Sequence, residues 1–374
     1  MTAPAPKSEK LYSVQALRGL AAFLVLLFHA VDVQKKALLP EQTSELSLLS
    51  GFWDQGYAGV DLFFVISGFI MVYVTRNTLP SAKQVGRFLY SRATRIYPLW
   101  WIFAGVMMLY YIVSYGQPAA PDVASGETLL PYLVKSLGLF PQEALPVLGV
   151  GWTLIHEMWF YLVFAGLLFL PRKALPWALG AWGTLILLAG LGYSAPHHAG
   201  NIIELATSPL TLEFILGGFA ALLLLGRSAI AATPILILGI LSGMATLWIG
   251  LNGGTNFVWH RVIAFGLPSV LLIYGLVALE HSGRLNVPQW AVRLGDWSYS
   301  LYLSHLIVLL ALRRIWQGLP LPDGLQFNGP GPWDNLAFAI AGICLSIVFA
   351  AISYRLLEKP LLNATRKLAG KTTP

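Results

Sequence analysis

Long apolar stretches separated by short polar segments recur along the whole of the 374-residue chain. Each is about 20 residues long, which is the length that a helix needs to cross the hydrocarbon core of a bilayer. Ten stretches fit this pattern: 13–33, 57–76, 95–115, 149–170, 175–193, 206–226, 232–250, 260–280, 295–316 and 333–356. The pattern therefore predicts an all-helical integral membrane protein with about ten transmembrane helices.

The composition agrees with this fold class. Hydrophobic residues make up 56% of the chain and charged residues 11%, whereas a soluble domain has about a quarter of its residues charged. We expect residues 1–374 to form a single transmembrane domain with no appended soluble domain. The first apolar stretch is too long for a typical signal peptide, so we expect it to be retained as a helix.

One apolar segment, TLLPYLVKSLGLF (Thr128–Phe140), is too short for an ordinary span and contains Pro131 and Lys135. Its length favours a re-entrant or interfacial helix, and an eleventh span is the alternative.

The basic residues predict the orientation. With the N-terminus inside, eighteen of the 24 lysines and arginines fall on the inner side, and both termini are then cytoplasmic. The six assigned to the outer segments are Lys35, Lys36, Lys135, Arg261, Arg313 and Arg314. The net charge of +7 thus indicates topology rather than binding of nucleic acid.

Arg18 and His29 place two ionisable side chains in the first apolar stretch, LRGLAAFLVLLFHA. They are 11 residues apart, so on a helix both project from one face, about 16 Å apart along the axis. The pair could hold the two ends of one elongated ligand. The alternative is that Arg18 reaches the membrane surface and that His29 is a hydrogen-bonded packing residue.

Glu157 is a second candidate, in the stretch GVGWTLIHEMWFYL. It lies about 12 Å from the outer end of its predicted span, where a carboxylate needs a partner. We predict that it orients His29 as a catalytic base. His156 projects about 100° away from Glu157 and cannot face the same ligand. A structural tie between Glu157 and a cation on another helix is the alternative.

Arg92 and Arg95 lie one turn apart in RFLYSRATRIYPLWW, at the predicted cytoplasmic start of the third span. Two guanidinium groups on one helix face form a clamp that suits phosphate groups. Ordinary anchoring of the topology by basic residues is the alternative.

Four weaker candidates could support a site. Asp61 lies at the outer end of the second span, and Tyr302 and His305 share one stripe of the ninth span with Ser298. Polar side chains of this kind more often form hydrogen bonds between helices. Tyr302 or a tryptophan N–H could donate to an oxyanion, and we count Trp152 among these supporting residues.

Other chemistry has no motif in this chain. No phosphate-binding P-loop, CxxC pair or HExxH motif is present, and Cys344 is the only cysteine. We therefore expect no metal and no disulfide, and His29 is the best candidate for chemistry. The closing segment Glu358–Pro360 predicts only the end of the last helix, because proline does not continue one.

Six stretches together resemble the membrane-bound acyltransferase family 3. They are the Arg-x10-His spacing, GVDLFFVISGF, SRATRIYPLW, GWTLIHEMWFYLVF, SYSLYLSH and the terminal LEKP, and they span roughly residues 11–362. The HEM-aromatic-FY wording is similar to the ExoZ-type exopolysaccharide O-acetyltransferase branch. Glu157 matches the first glutamate of the commoner family pattern, and Met158 replaces the second.

The resemblance implies transfer of an acyl group, usually acetyl, from cytoplasmic acyl-CoA to a carbohydrate hydroxyl. It implies that His29 is essential and that Arg92 and Arg95, with Arg18, hold the CoA end. His29, steered by Glu157, then acts as a general base or is itself transiently acylated. The sequence leaves both routes open.

Together with the membrane spans, the resemblance implies a multi-pass O-acetyltransferase of the bacterial inner membrane, which acetylates an exopolysaccharide or a lipid-linked glycan with acetyl-CoA as donor. The alternative function is a secondary transporter or flippase for a sugar or lipid-linked sugar. Consumption of acyl-CoA would distinguish the enzyme from a transporter and from a flippase.

Overall fold

The computed structural model describes residues 10–36, 51, 53–114, 128–226, 231–251, 258–322 and 332–371. Within these ranges the chain is helical and contains no strand. The α-helices are α1 Tyr12–Lys35, α2 Ala58–Val74, α3 Ala82–Ser114, α4 Leu129–Gly138, α5 Gly151–Leu167, α6 Leu175–Gly190, α7 Ile202–Thr207, α8 Thr211–Gly226, α9 Ala232–Leu251, α10 Val258–Arg261, α11 Leu267–His281, α12 Gln289–Asp296, α13 Ser298–Gln317, α14 Pro332–Ser353 and α15 Lys359–Lys371.

Short turns of other geometry join several of these helices. The 3₁₀ turns are Trp53–Tyr57 and Arg172–Ala174, and the π-helical turns are Val262–Gly266 and Tyr354–Glu358. Both π-helical turns continue directly into the next α-helix, so α10 and α11 form one rod, and α14 and α15 form another.

Within the described ranges, six helical segments are long and apolar enough to cross a membrane. They are Tyr12–Lys35, Trp53–Val74, Ala82–Val113, Ile202–Gly226, Val258–His281 and Leu336–Leu368. The prediction of an all-helical membrane protein is confirmed. The predicted spans near α5, α6, α9 and α13 coincide with apolar helices outside this set of six, so the number ten stays a prediction.

Helix α4 occupies the segment that the sequence marks as too short to span. Its 10 residues extend about 15 Å, half the thickness of a hydrocarbon core. Leu139, in the left-handed conformation with φ 57°, ends it. The buried Ser136 hydroxyl accepts hydrogen bonds from Gln142 Nε2 and the Val147 amide, which fixes the connection into α5.

Helices α2 and α8 pack so closely that their backbones touch. A Cβ atom on Gly68 would overlap the Phe214 carbonyl oxygen, and one on Gly217 would overlap the Val65 carbonyl oxygen. Small residues allow this approach in membrane proteins, where close packing replaces the hydrophobic driving force. The contact fixes α2, which also packs on α1 and α5 and supplies a wall of the site described below.

Helix α3 begins earlier than the sequence predicts. It starts at Ala82, so Arg92 and Arg95 lie in its third and fourth turns and not at its start. The residues before Arg92 are too polar to fit the pattern of a span, yet they are amphipathic, with Val85 and Phe88 buried. An amphipathic stripe stabilises a helix that a hydropathy window excludes.

The prediction that Glu358–Pro360 ends the last helix is wrong. The π-helical turn Tyr354–Glu358 leads into α15, in which Pro360 is the second residue. A proline inside a helix has no N–H to bond to the preceding turn, and the wider π-helical turn directly before Pro360 is an irregularity of the kind that accommodates it. Glu358 is consequently part of a continuous rod and is 4% exposed.

Candidate functional site

A cavity of about 840 Å³ opens at the end of the bundle that carries Lys83, Arg87 and Arg366. We call this end the basic end and the other end the opposite end. Helices α1, α2, α3, α5, α13 and α15 supply the walls. The cavity extends from the basic end between α2 and α5 as far as Thr153 and Tyr302.

The cavity lining is strongly cationic. Its charged members among the described residues are six cations, Arg18, Lys83, Arg87, Arg92, Arg95 and Arg366, and one acid, Glu157. Among the described residues, no carboxylate oxygen lies within 4.0 Å of a nitrogen of Arg18, Arg92 or Arg95. The three arginines that the sequence assigns to donor binding are therefore brought together in one cavity, where they favour an anionic ligand.

Arg92 is held by aromatic rings rather than by an acid. Its guanidinium carbon lies 5.8 Å from the ring centre of Phe88 and 6.0 Å from that of Tyr161, which is cation–π range. One nitrogen donates to Ser91 Oγ at 3.2 Å. Its buried Nε has no hydrogen-bond partner in the described part of the chain, and Arg92 lines the cavity.

Glu157 lies on the cavity wall between α5 and α2. Ser67 Oγ donates to its Oε1 at 2.8 Å, and the Tyr161 hydroxyl donates to the same oxygen. These are its hydrogen bonds within the described ranges, and none of them reaches His29. The structure thus places Glu157 beside the arginines and next to Tyr161, which lies under Arg92.

His29 instead contacts His305. The Nδ1 atom of His29 lies 2.9 Å from the Val25 carbonyl oxygen and 3.2 Å from Nε2 of His305. Because a carbonyl oxygen only accepts, Nδ1 of His29 carries a proton, which it shares between the two acceptors. The hydrogen-bond network assigns this tautomer, and it leaves Nε2 of His29 as an unprotonated base.

The same reasoning fixes the second ring. His305 Nδ1 lies 2.9 Å from the Leu301 carbonyl oxygen, so this nitrogen is the donor and Nε2 is the acceptor that faces His29. His305 is fully buried and His29 is half-buried. The pair therefore orients His29 through a neutral histidine and not through a carboxylate.

Tyr302 separates this histidine pair from the cavity. Its ring centre lies 5.6 Å from that of Phe63, a lining residue, and 6.1 Å from that of His305. The Tyr302 hydroxyl contacts Thr153 Oγ1 at 2.7 Å and the Val150 carbonyl oxygen at 3.2 Å. The stripe of Ser298, Tyr302 and His305 is buried as one face of α13, while the hydroxyl is directed towards α5. His29 does not line the cavity.

Asp61 and Trp152 belong to a different cluster nearer the opposite end. Both carboxylate oxygens of Asp61 accept hydrogen bonds of 3.0 Å from Arg261, through Nε and NH2. The Arg261 guanidinium carbon lies 5.5 Å from the ring centre of Trp152 and 5.2 Å from that of Tyr57. This cluster ties α10 to α2 and α5, and its four residues lie outside the cavity lining.

Sequence reasoning missed two residues of this cluster. Arg261, which the orientation rule assigns to an outer segment, is 6% exposed, and the buried Glu213 lies next to the same ion pair. A signal was available, because a carboxylate such as Asp61 inside an apolar stretch requires a cation on another helix. The sequence does not show which of the outer cations that is.

Fold and site together define a helical membrane protein in which a basic cavity leads towards a pair of contacting histidines. The sequence model of a family described as "Acyltransferase domain" matches residues 11–355. The chain therefore belongs to the acyltransferase 3 family, and the resemblance noted in the sequence is confirmed.

Named relatives cover most of the chain. It is 32% identical over 319 residues to "Exopolysaccharide production protein ExoZ" of Rhizobium meliloti (strain 1021), covering 83% of this chain and 91% of the relative. It is 27% identical to "Acyltransferase MdmB" of Streptomyces mycarofaciens, covering 99% and 95%, and 25% identical to "Nodulation protein 10" of Rhizobium leguminosarum bv. viciae, covering 84% of each. No solved structure matches the chain.

Proposed function

We propose that this protein transfers an acetyl group from acetyl-CoA to a hydroxyl of an exopolysaccharide or lipid-linked glycan in the bacterial inner membrane. The observation that carries the proposal is the basic cavity that ends at Tyr302, next to the His29–His305 pair. Membership of an acyltransferase family supports the reaction class, and the similarity to a relative named for exopolysaccharide production supports the class of acceptor.

The basic end of the bundle faces the cytoplasm in this proposal, which agrees with the excess of basic residues there. Arg18, Arg92 and Arg95 bind the phosphates of CoA. Their donors are free of carboxylate partners among the described residues, so binding a phosphate breaks no ion pair. Charge-assisted hydrogen bonds of this type are the stronger ones in proteins.

The thioester arm then lies between α2 and α5. Ser67 and Phe63 line the cavity on α2, and Thr153 lines it on α5. On α2 the lining extends from Met71 to Val60, eleven residues or about 16 Å, so an extended chain is needed to reach Tyr302. A shift of the Tyr302 ring then gives the thioester access to His29.

His29 acts as the general base through Nε2. It removes the proton of the acceptor hydroxyl, the oxygen attacks the thioester carbonyl carbon, a C–O bond forms and the C–S bond breaks. The proton then passes to the departing thiolate. His305 accepts a hydrogen bond from Nδ1 of His29, and this bond strengthens when His29 becomes an imidazolium.

Glu157 has a positioning role in this scheme. It fixes the hydroxyl of Tyr161, whose ring supports Arg92, and it bonds to Ser67 on the opposite wall. Asp61 and Trp152, with Arg261, hold the helices that surround the histidine pair. No step of the proposed reaction requires a metal.

The test is His29→Gln in purified protein, with acetyl-CoA hydrolysis or transfer and CoA binding measured together. We expect turnover to fall more than tenfold while CoA affinity stays within about twofold, because general-base contributions are about 10²–10⁴-fold. The matched control is His198→Gln, since His198 donates to the Glu143 carbonyl oxygen and does not line the cavity.

Retention of more than a tenth of wild-type turnover in His29→Gln would remove His29 from the catalytic role. Trapping of an acetyl group on His29 would replace the general-base route with the covalent one. A wild-type protein that moves a sugar across vesicles and consumes no acyl-CoA would instead identify a transporter.

A further inference from the structure

A buried carboxylate, Glu358, lies at the edge of a second cavity. This cavity has a volume of about 510 Å³ and opens at the same basic end of the bundle. It shares Gln15, Arg18, Ile70, Arg95, Leu362 and Arg366 with the cavity described above, and Glu358 lines it together with Lys10 and Asn363. The two cavities are therefore lobes on either side of Arg18 and Arg95.

Glu358 is anchored by a hydroxyl group and not by a cation. Its Oε2 accepts a hydrogen bond of 2.7 Å from Ser300 Oγ on α13. No basic nitrogen of the described residues lies within 4.0 Å of its carboxylate. The π-helical turn that ends at Glu358 sets this position, since a wider turn rotates the following residues relative to a regular helix.

The charge of Glu358 acts on the shared arginines from outside their hydrogen-bonding range. It interacts electrostatically with Arg95 and, more weakly, with Arg18. Glu157 acts on Arg18 from the first lobe, and Arg95 and Arg18 repel each other. In the empty site Glu358 reduces this repulsion without occupying the donors that a phosphate would use.

In the filled site the effect has the opposite sign. A bound phosphate and the Glu358 carboxylate repel each other across the arginines, so Glu358 weakens the hold on any polyanion. Donor and product of the proposed reaction carry the same phosphates. Tighter binding of those phosphates stabilises the bound donor, the transition state and the bound product equally. It therefore slows product release without lowering the chemical barrier.

We propose that Glu358 is a counter-charge that limits phosphate affinity at Arg18 and Arg95 and so allows CoA to leave after each turnover. The inference rests on the proposed function, in which these arginines bind CoA. It makes Glu358 a positioning residue that acts through the arginines.

The test is Glu358→Gln, which keeps a hydrogen-bond acceptor for Ser300 and removes the charge. We expect the Kd for CoA at low salt to fall about three- to thirtyfold, because one like charge near the phosphates is removed. The difference from wild type should shrink at high salt, where screening is stronger, and kcat should fall as product release slows. A residue with a purely structural role would weaken CoA binding instead.

Two further variants separate charge from structure. Ser300→Ala removes the hydrogen bond but keeps the carboxylate, so its CoA affinity should stay within about twofold of wild type. Glu280→Gln alters a carboxylate at the same end that accepts from the Tyr12 and Ser13 amides and lines neither lobe. We expect no tightening of CoA binding in Glu280→Gln.

Asn363→Asp tests the same electrostatics if Glu358→Gln does not fold. Asn363 is exposed and lines the second lobe, and an added carboxylate there should weaken CoA binding. Unchanged or weaker binding in Glu358→Gln, or unchanged binding in Asn363→Asp, overturns the inference. Failure of the wild-type protein to bind CoA at all would overturn the proposed function itself.

Discussion

Arg261 and Arg95 are both arginines inside the helical bundle, yet their surroundings are opposite. Arg261 is 6% exposed and forms two hydrogen bonds to Asp61, with aromatic rings beside it. Arg95 shares its cavity wall with five other cations and has no carboxylate partner within salt-bridge distance in the described part of the chain.

The difference separates a structural tie from a ligand site. At Arg261 the protein itself supplies the anion, Asp61, to which Nε and NH2 of Arg261 donate. No external anion is needed there. At Arg95 the anions are too few, and the excess positive charge is stable only because the cavity is open to water or to a ligand. The presence or absence of a carboxylate partner distinguishes the two sites, and it agrees with the deeper burial of Arg261.

Asp61→Ala should have the largest effect on stability. It leaves the Arg261 guanidinium buried without its partner, which costs about 3–5 kcal/mol in comparable pairs. We expect a large drop in the temperature of unfolding in detergent, measured with CoA absent. CoA affinity per folded molecule should not change, since Asp61 does not line the cavity.

A triple variant, Asp61→Leu with Arg261→Met and Glu213→Gln, is the control for that prediction, because the buried Glu213 lies next to the same ion pair and would otherwise lose its neighbouring cation. Removing all three ionisable groups should recover most of the lost stability. A triple variant as unstable as Asp61→Ala would show that the loss comes from packing and not from the unpaired charge.

Arg92→Ala and Arg95→Ala should have a smaller effect, and on binding rather than on stability. Each should weaken CoA binding by about 1.5–3 kcal/mol, the range for a hydrogen bond to a charged group. In these variants dephospho-CoA should lose less binding free energy than CoA does if the missing contact is to the 3′-phosphate. Isothermal titration of purified protein measures both ligands.

The matched control is Arg284→Ala, because Arg284 is exposed, contacts Thr233 Oγ1 at 3.3 Å and lines neither lobe. Wild-type CoA affinity in both cavity variants would reduce Arg92 and Arg95 to anchors of the topology.

The smallest expected effect is a coupling energy between catalytic and supporting side chains. Combining His305→Asn with His29→Ala should lower turnover little beyond His29→Ala alone, because residues that act as one unit are non-additive.

Glu157→Gln should lower turnover independently of His29, because the described hydrogen bonds of Glu157 go to Ser67 and Tyr161. The coupling energy between Glu157 and His29 should stay within about 0.5 kcal/mol. Steady-state rates of the single and double variants measure both cycles. Strong coupling between Glu157 and His29, with none between His305 and His29, would support the pairing of Glu157 with His29 that the sequence predicts.

The sequence by itself determined the class of fold and most of the candidate residues. Apolar stretches near bilayer length dictate helices, because a backbone in lipid must satisfy its own hydrogen bonds. Inside such stretches every ionisable residue is conspicuous, so Arg18, His29, Glu157 and Asp61 could be identified from the residues alone. Arg92 and Arg95 are a turn apart on any helix, and this local spacing needs no tertiary information.

Only the tertiary structure decided which of these residues are partners. His29 pairs with His305, 276 residues away in sequence, and Asp61 pairs with Arg261, 200 residues away. Helical periodicity gives the face on which a side chain lies, but it does not say which other helix meets that face. The point at which two helices cross depends on close contacts such as that of Gly68 with Phe214. The inward position of Glu358 depends on the π-helical turn that ends at this residue. These depend on how whole helices pack, which no local pattern of residues encodes.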